Sequence, residues 1–172
     1  MAGFLRSAFA PLFAGVVVVQ GVHLFEHVVQ LFQVFVLGIP DDEALGLLGY
    51  VFRVQGTEEW LHLAFNLAYL TSLYALVLPL RERVPHPVPA WAFGVFLGGA
   101  VGVESWHMVE HAVIISHVLA NHGCPCPGIG DVALGTTDTI LHFFYNALTY
   151  AAVLVPYLHL RRARLLPRAA AA

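Results

Sequence analysis

The chain has 172 residues, 59% hydrophobic and only 11% charged, with a mean hydropathy of +0.75 and a net charge of −3 with histidine neutral. A water-soluble domain carries about 25% charged residues, so the composition excludes an ordinary soluble domain, and the lack of a basic excess excludes a nucleic-acid footprint. Ten histidines outnumber the eight lysines plus arginines, and two cysteines, Cys124 and Cys126, are too few for a disulfide framework.

At the N-terminus, Arg6 precedes an apolar run from Ala8 to Leu37. The run is too long for the hydrophobic part of a signal peptide and contains no convincing small-x-small cleavage site, so it reads as a retained first span. A bilayer-crossing helix needs about 20 mostly apolar residues. Four segments qualify: 9–37, 58–80, 88–120 and 136–160. The first stops at Gly38-Ile39-Pro40-Asp41-Asp42, where turn chemistry takes over. The second ends at Pro79 and Arg81-Glu82-Arg83, and Pro85, Pro87 and Pro89 join it stiffly to the third. The third closes at residues 121–128, rich in Gly and Pro, which cannot continue a helix. The fourth runs into Arg161, Arg162 and Arg164, and the Ala-rich residues 165–172 are expected to fray. The expectation is an all-α integral membrane protein forming one domain over residues 1–172: a four-transmembrane-helix bundle in contact with the lipid bilayer, with room for other membrane subunits or a homo-oligomer.

Orientation follows from the arginines. With four spans, Arg6, Arg81, Arg83, Arg161, Arg162, Arg164 and Arg168 fall on one side, and Arg53 falls on the other beside Asp41, Asp42 and Glu43. The positive-inside rule places both termini in the cytoplasm and the Cys124-Pro125-Cys126 loop outside. A bacterial cytoplasmic membrane fits this size and composition. The loop cysteines face an oxidising side, where a disulfide or metal capture with His117 and His122 is open to them.

The two halves match. His23, Glu26 and His27 recur 84 residues on as His107, Glu110 and His111, and Gln20 falls on Glu104. Glu58, His62 and Asn66 recur 80 residues on as Asp138, His142 and Asn146. The chain therefore reads as two tandem helical-hairpin repeats, about 9–83 and 88–164, related by a pseudo-two-fold axis along the membrane normal. Ionisable groups at bilayer depth cost roughly 2.5–3.5 kcal/mol each on insertion scales and mark sites.

Residues three and four apart share a helix face. His23 stacks on His27, and His107 on His111, while the second and fourth spans carry i, i+4 ladders through His62 and His142. The four seams converge on one interior volume in the outer half of the bilayer. Imidazole with carboxylate suits Fe, Cu or Zn, so His23, Glu26, His27, His62, His107, Glu110, His111 and His142 are the expected ligands of two transition metal ions, with Glu26 and Glu110 bridging or capping. Glu58, Asn66, Glu104, Asp138, Asn146 and Gln30 are the expected outer partners that fix the imidazole tautomers. The pattern is similar in logic to the di-metal carboxylate bundles, whose Glu-x-x-His motif Glu104-x-x-His107 and Glu59-x-x-His62 match; Gln20 and Thr139 break it. His-x-x-Glu-His is also the string of inverted-motif zinc proteases, but two copies at bilayer depth argue against that class.

The favoured expectation is a non-haem redox centre of oxygenase or oxidase type acting on a small or lipid-soluble substrate, with no catalytic residue assigned. The alternatives are a haem b or chlorophyll-binding electron-transfer subunit and a metal-ion or proton translocator. Gly94, Gly98, Gly99 and Gly102 could admit a flat ring, but close helix packing explains them better.

Overall fold

The computed structural model describes residues 2–52, 58–120 and 127–163, with side chains over 8–51, 60–120 and 127–163. Arg53, His122, Cys124 and Cys126 lie outside the described residues, as does the side chain of Glu58. All regular structure in the described residues is helical.

Long runs of Val, Leu, Phe and Ala with no breaker produce the long helices. These are α1 (Ala2–Phe35), α3 (Glu58–Arg81), a third composed of α4 (Ala90–Val95), a π-helical segment (Phe96–Gly102) and α5 (Val103–Ala120), and α7 (Asp138–Arg162). Four stretches are long and apolar enough to cross a membrane: Ala8–Phe35, Trp60–Arg81, Ala90–Ala120 and Asp138–Arg162. Each agrees with an expected span to within two residues. Between 22% and 44% of their most apolar windows is buried inside the protein. Most of the remainder, including Val18, Phe25, Leu67, Leu78, Trp106 and Phe144, points outward. In water this surface would cost about 25 cal/mol per Å²; against lipid it costs nothing.

The helices form a closed ring, with α1 and α5 each packed between α3 and α7. The interior divides by polarity along its length. Toward the termini, Phe13, Leu73, Leu76, Leu80, Phe96 and Leu160 are completely buried and form an apolar plug. Toward the loops, the interior is polar. At mid-height, the Gln20 side-chain amide donates to Asn146 Oδ1 (2.7 Å) and Thr149 Oγ1 (3.1 Å), tying α1 to α7.

Two features were not anticipated. The loops that follow the first and third spans contain short helices, α2 (Gly46–Phe52) and α6 (Ile129–Leu134). The third span also widens into a π-helical segment at its glycines. Of those glycines, Gly99 makes the close approach: a Cβ there would sit 2.7 Å from the Ala152 Cβ of α7, whereas Gly94 and Gly98 have nothing within 4 Å. Gly99→Ala is therefore expected to destabilise the bundle by about 1–3 kcal/mol through overpacking. Gly94→Ala should be neutral or stabilising, since Ala is the better helix former. Thermal unfolding of both variants in detergent checks the contrast.

Candidate metal centre

The antiparallel packing brings six imidazoles to one level of the bundle. His23 and His27 come from α1, His62 from α3, His107 and His111 from α5, and His142 from α7. Neighbouring rings lie 4.7–6.1 Å apart, centroid to centroid. His62 lies among His23, His27, His111 and His142, at 5.7–6.1 Å from each.

The nitrogens facing one another are Nε2. His111 Nε2 lies 3.1 Å from His107 Nε2 and 3.3 Å from His142 Nε2. His27 Nε2 lies 3.2 Å from His23 Nε2. His107, His111 and His142 are all buried and each offers a ring nitrogen within 4.8 Å of the others', so this triad could hold a metal ion. Donors 2.0–2.1 Å from a tetrahedral ion are about 3.3–3.4 Å apart, close to the separations seen here.

The outward-facing nitrogens explain why Nε2 is left for the interior. His142 Nδ1 lies 2.9 Å from the Asp138 carbonyl oxygen and 3.0 Å from Asp138 Oδ1. Both atoms only accept, so Nδ1 carries the proton and neutral His142 keeps a lone pair on Nε2. His27 Nδ1 lies 2.7 Å from Gln30 Oε1. That amide is oriented by its other end, where Gln30 Nε2 donates to the Ala44 carbonyl at 3.0 Å. His27 therefore also turns a lone pair inward. His107 Nδ1 faces Glu104 Oε2 at 3.6 Å. Lone pairs this close repel unless a proton or a cation lies between them, and one His111 N–H can serve only one of its two neighbours.

The expected carboxylate ligands have other partners. Glu26 Oε2 accepts the backbone N–H of Leu47 (2.7 Å) and Leu48 (2.9 Å) at the start of α2. Glu110 accepts from Ile129 (2.7 Å) and Gly130 (2.6 Å) at the start of α6. Helix starts expose unpaired N–H groups that favour an anion, and glycines leave room for it. A Cβ at Gly46, whose φ is +68°, would lie 2.6 Å from Glu26 Oε2, and one at Gly130 would lie 2.7 Å from Glu110 Oε1. Gln33 Oε1 adds a bond from the Gly46 N–H at 2.9 Å. Asp131, outside the spans, accepts the Gly128 N–H at 3.0 Å; burial first, and then the nearby Asp138 carboxylate, raises its carboxyl above the usual range.

Among the expected outer partners, Gln30 and Asp138 meet imidazoles and Glu104 approaches one. Asn146 instead bonds Gln20 and the His142 carbonyl. Asn66 is fully buried, with no hydrogen-bond partner among the described residues. Two aromatic neighbours were missed. Phe65 stacks on His23 at 4.2 Å, and Tyr145 packs on His107 at 5.1 Å, its hydroxyl accepting from Trp106 Nε1 at 2.8 Å. Their i+3 spacing from His62 and His142 was the available signal. Comparison with known proteins finds no matching family model, curated protein or solved structure.

Proposed function

We propose that this is a membrane-embedded metalloprotein with a dinuclear, histidine-ligated, non-haem centre that performs redox chemistry on a small or lipid-soluble substrate. The observation that carries the reading is the inward set of Nε2 atoms 3.1–3.3 Å apart, with outward nitrogens held by Asp138 and Gln30. One ion is held by His107, His111 and His142, and the second by His23, His27 and His62, the matching set of the first hairpin. The parallel roles of Glu26 and Glu110 support the tandem-repeat reading. We read these two residues as clamps on the loop helices rather than ligands, because their oxygens accept backbone N–H groups there. Fe and Cu suit such a nitrogen-rich site. Support for redox work comes from Tyr145 and Trp106, an oxidisable pair between His107 and the lipid-facing surface. Haem fits less well, because trans nitrogens on one iron would stand about 4 Å apart at metal–nitrogen distances of 2.0–2.1 Å.

Elemental analysis of detergent-purified protein for Fe, Cu, Zn and Mn tests the proposal. About two equivalents per chain are expected; no stoichiometric transition metal in protein prepared without chelator overturns it. Asp138→Asn should weaken metal binding 10–100-fold, as loss of an imidazole-orienting partner does. Chelator competition reads this directly.

A further inference from the structure

One helical turn from the imidazoles, toward the termini, lies a second polar layer that the metal reading leaves largely unused. Gln20 precedes His23 by three residues on α1, Glu104 precedes His107 by three on α5, and Asn66 follows His62 by four on α3. All three are completely buried, and Tyr69, one turn beyond Asn66, is 4% exposed. Tyr69 lies beside Thr149 and within electrostatic reach of Glu104, and Thr149 bonds Gln20, so the layer is contiguous across the bundle.

Its hydrogen bonding is lopsided. On the α1–α7 side, the Gln20 amide supplies its own donors to Asn146 and Thr149. On the α3–α5 side, Glu104 stands at the matching position and brings only acceptors when ionised. Neither of its oxygens has a hydrogen-bond partner among the described residues, and the same holds for Gln20 Oε1, the Tyr69 hydroxyl and both polar atoms of Asn66. His107 Nδ1, at 3.6 Å, is beyond bonding distance. A carboxylate taken out of water must meet a cation or a proton. Carboxylate, amide and phenol oxygens are hard donors suited to a hard cation rather than a soft one. The single carboxylate balances one positive charge; a divalent ion would leave excess charge buried.

We propose that this layer binds a monovalent metal cation of sodium's size through oxygen atoms of Glu104, Asn66 and Gln20, with Tyr69 at its edge. The site stands on the orphaned oxygens and does not depend on the transition-metal reading. The test is thermal unfolding of the full chain in detergent at constant ionic strength, with Na⁺ replaced stepwise by N-methyl-D-glucamine. The midpoint should rise with Na⁺, and radioactive Na⁺ should bind at about one per chain. Asn66→Leu should abolish both responses while transition-metal content stays at the wild-type level. Asn66→Asp, which adds a second carboxylate, should by the same charge balance shift the response from Na⁺ to Ca²⁺, and it covers the case in which the Leu variant fails to fold. A wild-type midpoint indifferent to Na⁺, a response to Ca²⁺ in its place, or an infrared carboxylic-acid band that Glu104→Gln removes would each overturn the proposal. Elemental analysis of the same samples reports separately on the imidazole centre.

Discussion

Alanine at His111 is expected to weaken metal binding at the α5–α7 triad by on the order of 10²–10³-fold, the share of one ligand in the roughly 10–16 kcal/mol with which a four-ligand site holds zinc. His111 is singled out because its Nε2 neighbours both His107 Nε2 and His142 Nε2. Chelator-competition titration should register the loss, and elemental analysis should show about one equivalent fewer per chain. His117→Ala is the control, since His117 lies a turn and a half beyond His111, outside the ring of six. Wild-type affinity in the His111 variant would rule the triad out. Combining His111→Ala with His27→Ala separates two ions from one: separate sites should lose affinity additively, and a shared ion should not.

Removing the Glu110 carboxylate should cost stability more than metal. Glu110→Ala strips the acceptor from the Ile129 and Gly130 N–H groups. Hydrogen bonds to a charged group contribute about 1.5–3 kcal/mol each, so a loss of about 3 kcal/mol is expected, with a fall of several degrees in the unfolding midpoint. Glu110→Gln keeps an acceptor and should lose about half as much. Amide hydrogen exchange at Ile129 and Gly130 should accelerate in both variants. At saturating metal both should keep the wild-type complement. If metal leaves while exchange is unchanged, Glu110 is a ligand and the clamp reading fails.

The residues that sequence reading placed well and poorly differ in a physical way. Hydropathy located the four spans because every span must supply enough apolar length for lipid. The i, i+4 histidines were assigned to one interior because two identical spacings can share a level only in a closed bundle. The contacts of Glu26 and Glu110 with the loop helices were not legible. Glu26 lies 100° around the helix from His27, close enough to the seam to count as inward on a helical wheel. What claims it is the start of α2, a seven-residue helix too short and glycine-rich to leave a periodic signature. The same holds for α6. Asp138 and Gln30 lie against imidazoles, since i−4 and i+3 positions can reach the ring. Asn66 bonds no imidazole among the described residues, because spacing puts it in the right column but one turn further down.

The π-helical segment sets the rotation at which the second half of this span enters the centre. An α-helix turns 100° per residue, and a π-helical stretch holds in place a residue that an α-helical course would not accommodate. Straightening Phe96–Gly102 to α geometry with no residue removed would swing everything after it by about a quarter turn. Glu104, His107 and His111 would leave the interior together, with the composition and hydropathy of the span unchanged. Loss of one glycine from the same stretch would take the extra residue out with the bulge and leave the three side chains in place, so a one-residue gap in an alignment here is compatible with an intact centre.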